Sequence, residues 1–239
     1  MKYRSRLKQC LCIFIGLFTL AGSAQEEAKV VEVKENAPAL RILCVAVLPG
    51  AENIMLASKD EAGEWTIITE EAVKIRSKFV TEWLPAEKGT MYLVKKTGDV
   101  VESLGSFIYP VNAKRLVIVL LPNVADRKYR IDVIDPSALG FSKGKALVAN
   151  YSQQSAVAKL GAAMSNVESG NKVVIKPIPE ENGMYRMTLG YIDDKSNPIP
   201  CYDRYVEYSE ESRDFLLLFP DRRQPGFAVF SLAEFGPFE

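Results

Sequence analysis

Hydrophobic residues in this chain come in short runs, each closed by a turn-forming residue. LRILCVAVL (40–48), NIMLA (53–57), WTIIT (65–69), KFVTEWL (78–84), MYLVKK (91–96) and SFIYP (106–110) are followed by RLVIVLLP (115–122) and KYRIDVI (128–134). The runs are rich in Val, Ile, Tyr and Phe and bounded by Pro, Gly, Asn or Asp, which is the pattern of many short strands and not of helices. In KYRIDVI, Tyr129, Ile131 and Val133 alternate with Lys128, Arg130 and Asp132. One face is apolar and the other polar, as in a half-buried antiparallel strand. RLVIVLLP has no polar interruption and predicts a central strand covered on both faces. Minor helical pieces are expected around Glu70 to Arg76 and at Pro136 to Leu139.

The second half repeats the order of the first. RLVIVLLPN (115–123) followed by KYRIDVI has a counterpart in DFLLLFPD (214–221) followed by FAVFSLA (227–233). WLPAEKGTMYLVKK (83–96) likewise matches PIPEENGMYRMTLGY (177–191), with Pro-x-Glu, then Gly, then Met-Tyr heading a strand. A shared offset of about 100 residues, the size of one sandwich domain, predicts tandem domains. The expected organisation is a segment at 1–24, an arm at 25–37, a β-sandwich at 38–135, a junction at 136–144 and a second β-sandwich at 145–239. ALVANYSQQSAVAKLG (146–161) is then the first hairpin of the second domain, turning at Gln153-Gln154, as LRILCVAVLPGAENIMLAS is of the first. The alanine-rich AVAKLGAAMS within this region is the helical alternative. Asn150-Tyr151-Ser152 also fits the glycosylation acceptor pattern, a short motif that recurs by chance.

The element Val148-x-Asn150-x-Ser152, followed by Leu160-Gly161, resembles uncharacterised exported bacterial proteins with tandem Ig-like β-sandwich domains. The resemblance implies an all-β fold of two tandem antiparallel β-sandwich (Ig-like) domains. It implies no catalytic residue.

The ends and the charge add a compartment. Lys2, Arg4, Arg6 and Lys8 precede the apolar block LCIFIGLFTL (11–20), and Ala21-Gly22-Ser23-Ala24 supplies small residues after it. These are the three parts of a secretory signal peptide with cleavage near Ala24, and the block is short for a bilayer span. Cys10 and Cys12 lie before or at the start of that block, the wrong place for lipid attachment. No later segment is long and apolar enough to span a membrane, so no transmembrane segment is expected in the mature chain. The expected destination is periplasm, cell surface or medium. Loss of the leader removes four of 30 basic residues and none of the 30 acids, leaving 26 against 30 and a net charge of −4. Mild acidity argues against a nucleic-acid partner. Cys44 and Cys201 remain. An exported chain permits a disulfide between them; the favoured reading is that Cys44, inside LRILCVAVL, is a small buried hydrophobe.

The chain contains no histidine. That removes the ordinary Ser-His-Asp and Cys-His nucleophile arrangements and the His-based metal sites. No G-x-S-x-G, P-loop or G-x-G-x-x-G motif occurs, and no cofactor or metal is expected. The remaining catalytic option is carboxylate chemistry: Asp193-Asp194, Asp203, Glu207, Glu210 and Glu211 lie close in sequence, without the alternation of a calcium loop. Ser142 and Lys143 are adjacent, which does not make a dyad. Aromatic residues suggest a surface instead. Tyr202, Arg204, Tyr205 and Tyr208 form a candidate binding patch, since Tyr and Arg dominate interface cores. Tyr185, Met187, Leu189 and Tyr191 share one strand face and read as core. The expectation is an exported binding or scaffolding protein of the bacterial envelope, not a catalyst, with an unidentified protein or glycan partner. The alternatives are a histidine-free hydrolase using carboxylates of the second domain, and an envelope assembly built through an exposed sheet edge.

Overall fold

The computed structural model describes residues 37–193, 197–221 and 226–235, and every regular element among them is a strand. The leader, nearly all of the arm and Asp194 lie outside the described residues. The first ten strands are β1 (Ala39–Cys44), β2 (Asn53–Lys59), β3 (Trp65–Ile67), β4 (Val73–Lys74), β5 (Phe79–Val80), β6 (Leu84–Pro85), β7 (Gly89–Thr97), β8 (Val100–Tyr109), β9 (Arg115–Asn123) and β10 (Lys128–Ile134). The next eight are β11 (Ala146–Asn150), β12 (Ala156–Leu160), β13 (Ala163–Val167), β14 (Lys172–Ile175), β15 (Met184–Ile192), β16 (Pro198–Glu207), β17 (Ser212–Pro220) and β18 (Phe227–Phe235). No helix among the described residues is long and apolar enough to cross a membrane.

The strands make four sheets in β-sandwich-like layers, and the strand order of the first half recurs in the second. β10-β9-β1-β5 is matched by β18-β17-β11-β14, and β3-β2-β7-β8 by β13-β12-β15-β16. β1 pairs in parallel with β9, as β11 does with β17, and the other ladders are antiparallel. Both halves carry a bulge at one place, between Leu93 and Val94 on β7 and between Leu189 and Gly190 on β15.

This order departs from the expected hairpins. β11 and β12 are both strands, but they lie in different sheets, as do β1 and β2. The reason is burial: all five residues of β11 are buried, and its two edges are taken by β14 and β17, leaving none for β12. In an immunoglobulin domain the first two strands share a sheet, so the strand order here is a different one. The chain turns between layers on Asn150. Its buried side chain donates to Gln154 O (2.8 Å) and Val167 O (2.9 Å), and accepts from Ser152 N (3.0 Å) and Ser152 Oγ (2.6 Å). The glycosylation pattern at Asn150 is thus part of a buried arch. The hairpin comes one strand later: β12 and β13 pair around Gly161 and Ala162, with Leu160 opposite Ala163. Gly161 has φ +66°, and a Cβ there would stand 1.9 Å from Ile178 O, so only glycine fits.

Nor do the expected helical pieces form. Residues 70–76 contain the extended β4, and 136–139 is a turn in which Asp135 Oδ1 accepts from Ser137 N (3.0 Å) and Ala138 N (3.1 Å). Aspartate at this position offers the backbone a local alternative to helix.

Three cores result. Leu40, Ile42, Ile54, Leu56, Leu93 and Ile118 are among those filling the first half; Val148, Ala158, Leu160, Tyr185, Met187, Leu189 and Leu216 are among those filling the second. The third lies between the halves, where Leu43, Val117, Val119 and Leu121 meet Leu147, Ala149, Phe215 and Leu217. β9 therefore buries both faces, as its unbroken apolar run predicts, and each such Val, Leu or Phe contributes about 1.5–3 kcal/mol. Two polar clasps flank this seam. Glu234 accepts from Arg41 Nη1 (2.5 Å) and Arg213 Nε (2.6 Å), and Asp132 accepts from the Tyr151 hydroxyl (2.5 Å) and Lys172 Nζ (2.7 Å). The Arg213 guanidinium also lies 5.1 Å from the Phe141 ring centre. Burial, and then the Asp132 carboxylate, hold the Tyr151 phenol protonated far above the ordinary tyrosine range.

Candidate functional site

Among the described residues β16 is the outermost strand of its sheet, bonded to β15 alone. Its first third is blunted against pairing: Pro198 and Pro200 have no N–H, and Cys201 is the extra residue of the bulge. Beyond the bulge the strand runs regularly from Tyr202 to Glu207. Tyr208 N donates to Gly183 O at 2.9 Å, which makes those two a hydrogen-bonded pair. Counting back in twos, Val206 with Tyr185, Arg204 with Met187, and Tyr202 with Leu189 are the bonded pairs. The N–H and C=O groups of Asp203, Tyr205 and Glu207 therefore point away from β15. Among the described residues no loop or strand takes them.

Side chains alternate across this strand. Tyr202, Val206 and Tyr208 turn inward and pack against the second core. Arg204, on the same face, lies with its guanidinium 4.9 Å from the centre of the Tyr202 ring. Asp203, Tyr205 and Glu207 turn outward, and Tyr205 is 57% exposed. The predicted patch is therefore divided: Tyr202, Arg204 and Tyr208 share one face of β16, and Tyr205 stands on the other.

Outward, Asp203 takes a two-pronged ion pair from Arg186, with Nε–Oδ1 at 2.8 Å and Nη2–Oδ2 at 2.6 Å, plus a bond from Thr188 Oγ1 at 3.2 Å. The hydrogen bonds from Arg186 hold the Asp203 carboxyl below its ordinary range. Inward, Asp214 of β17 approaches the buried Tyr185 hydroxyl without closing a hydrogen bond of good geometry. Burial raises the Asp214 carboxyl, against the opposing pull of Arg204 and Tyr185. Burial also pushes the Tyr185 phenol well up. Arg186, Tyr185 and Asp214 complete the surroundings of β16; the sequence marked Tyr185 as core and gave no sign of Asp214. The alternation in DRYVEY was readable; which face Asp214 and Tyr185 share with Arg204 depends on pairings far along the chain.

The remaining expected chemistry is dispersed. Asp193 accepts from Asn197 N (2.7 Å) in a turn, and Glu211 pairs with Lys143 at 2.6 Å, which occupies the lysine beside Ser142. Among the described residues no three acids or cysteines gather as a metal site would require. Cys44 and Cys201 are free: Cys44 is buried in the first core, Cys201 half-buried against the second. Burial raises the Cys44 thiol to about 11, with a bond to Tyr129 acting in the other direction. A shallow groove in the first half, lined by Pro38, Lys88, Val111, Asn112, Ala113 and Lys114, holds no acid or nucleophile.

The corresponding strand in the first half, β8, is contacted by the opposite layer. There Gly105 stands opposite Leu93 at the bulge, as Tyr202 stands opposite Leu189. A Cβ on Gly105 would lie 2.8 Å from Tyr129 O and 3.0 Å from Ile131 Cδ1, because β10 leans directly on β8. In the second half Tyr202 packs on the core, and β18 barely touches β16. Just before β18, Gly226 lies against Cys201 at the bulge. Compared with known proteins, the chain matches no family model and no curated protein.

Proposed function

We propose that the chain is an exported binding or scaffolding protein of the bacterial envelope, built as two tandem β-sandwiches joined through a shared apolar seam, and that it engages its partner through β16 without catalysing a reaction. One observation carries this reading: a regular strand at the rim of a sheet leaves the main-chain groups of Asp203, Tyr205 and Glu207 unpaired among the described residues and flanks them with aromatic and charged side chains. Edge strands of this kind add a strand from a partner, with main-chain bonds giving affinity and side-chain pockets giving choice. The repeated strand order supports the duplication, and the basic, apolar and small-residue segments of 1–24 support export.

The hydrolase reading draws less support, since catalysis needs acids converging on one cleft. Asp203 is bound by Arg186, Asp193 is engaged in a turn, and Asp214 faces the opposite side of the sheet from Asp203.

The test is affinity capture from the envelope fraction of the producing cell, run in parallel with the native chain and with Tyr205→Pro, which removes one outward N–H. A protein or glycan retained by the native chain and lost by the variant is expected. Identical retention by both would remove β16 from the mechanism. The N-terminal residue of the protein recovered from that fraction, expected to be Gln25, tests export separately.

A further inference from the structure

We infer that the free edge of β16 takes an extended segment of a different protein, one whose alternate residues are basic on the outer face and apolar on the inner face. The inference rests on β16 being the binding edge and adds the chemistry of its partner. A strand laid beside Tyr202–Glu207 places every second side chain against Asp203, Tyr205 and Glu207, and the intervening ones against Tyr202, Arg204 and Val206. On the outer face the Tyr205 ring, 57% exposed, and the Glu207 carboxylate both attract a cation. Asp203 is already satisfied by Arg186, so it adds no second demand for charge. An acidic side chain there would face the Glu207 carboxylate. On the inner face Tyr202 and Val206 pack on the second core and offer apolar surface to the intervening side chains, with Arg204 between them.

A second copy of this chain fits the edge poorly. Antiparallel pairing centred on Tyr205 sets Asp203 of one copy opposite Glu207 of the other, and pairing centred on Arg204 sets arginine against arginine. Like charges directly opposite each other destabilise a ladder. A basic, alternating segment from another protein avoids both.

The experiment uses the chain as purified from its producing cell and two ten-residue peptides, one alternating Lys and Val and one alternating Glu and Val. Binding is followed by fluorescence anisotropy and by amide hydrogen exchange resolved at residues 203, 205 and 207. The Lys-Val peptide is expected to bind about tenfold more tightly, the sum of a few cross-strand charge pairs, and to slow exchange at those three amides. Glu207→Lys should narrow or reverse that preference, and Tyr205→Pro, if folded by circular dichroism, should abolish the protection. Equal binding of both peptides at the same amides overturns the partner chemistry and leaves the edge reading intact. No protection at the edge by either peptide, protection elsewhere, self-association of the chain in place of peptide binding, or perturbation of Tyr205 only by an oligosaccharide such as maltohexaose, overturns the inference itself.

Discussion

Asn150 should be among the most sensitive positions in the second half, for a reason that can be worked bond by bond. Its carboxamide is 1% exposed and makes four hydrogen bonds, to Gln154 O, Val167 O, Ser152 N and Ser152 Oγ. Of the partners, Ser152 Oγ can turn its single proton to Gln154 O when the amide is removed. Asn150→Ala therefore strands Val167 O and Ser152 N in a dry turn and weakens two further groups. At about 1 kcal/mol per net hydrogen bond, the loss is about 3–4 kcal/mol, a large share of the stability of an ordinary domain. Equilibrium urea unfolding measures it, with the exposed Asn166→Ala as the control, expected within about 0.5 kcal/mol of the parent. Asn150→Asp sharpens the test, because it keeps the acceptor side and points a carboxylate at two carbonyl oxygens. Burial among acceptors raises that carboxyl in the folded state. The variant is then worst at neutral pH and regains part of its stability, relative to the parent at the same pH, as pH falls through the raised value toward the ordinary aspartate range. A loss below about 1 kcal/mol for Asn150→Ala, or an Asn150→Asp deficit that does not shrink in acid, would show that the arch does not depend on this amide.

Thiol labelling should separate the two cysteines: Cys201 reacts in the native protein, whereas Cys44, 1% exposed with its thiol raised to about 11, reacts only on unfolding, and peptide mapping by mass spectrometry reads the difference. Residues 38–135 expressed alone would expose Leu43, Val117, Val119, Leu121 and Ile134, so gel filtration should show self-association and a hydrophobic dye should bind. A monodisperse, dye-silent fragment would show that the seam is dispensable. Gly105→Tyr installs in the first half the residue found opposite the bulge in the second, and should cost about 1–3 kcal/mol or more by thermal melting, because even a Cβ meets Tyr129 O at 2.8 Å. For Asp214, whose carboxyl burial raises, the ionised form is less favourable in the fold than in the unfolded chain, so this group contributes a rise in stability as pH falls through its folded value. Asp214→Asn should lack that rise, and an unchanged pH profile in the variant would refute the assignment.

What the sequence made legible follows from how local the cause was. KYRIDVI alternates because one side of β10 meets the first core, and Tyr129, Ile131 and Val133 do pack there. RLVIVLLP and DFLLLFP have no polar residue after the first because β9 and β17 lie between two cores, with Leu116, Ile118 and Leu120 facing one way and Val117, Val119 and Leu121 the other. Pairing was not legible. A strand, a polar turn and a strand at 146–160 suit a hairpin and an arch equally well, and the choice fell to β14 and β17, which occupy both edges of β11. The weak helix expected at 70–76 lost to pairing of β4 with β2, a tertiary preference over a local one. In the tyrosine region, the parity of residues 202–208 separates Tyr205 from its neighbours. That β16 is an edge depends on its pairing with β15 on one side only among the described residues, and nothing near Tyr205 encodes it.

The two halves differ in how β8 and β16 meet the opposite layer. Duplicated strand order gives β8 and β16 the same neighbours in principle: each is last in its sheet, each is bulged at one point, and each has a strand of the opposite sheet within reach. In the first half, the residue opposite Leu93 is glycine, which lets the backbone of β10 come within contact distance. In the second half, the residue opposite Leu189 is Tyr202, whose ring packs against the core and carries Arg204 on its face. There β18 makes little contact with β16. An unpaired edge invites unwanted association, and proteins ordinarily cover or blunt one. Here prolines and a bulge blunt Pro198–Cys201, while the six residues beyond them keep regular geometry, outward main-chain groups and an exposed aromatic ring. Chance exposure would favour a short, irregular or lysine-rich edge. A register that keeps three main-chain pairs turned outward is what a strand-accepting surface requires.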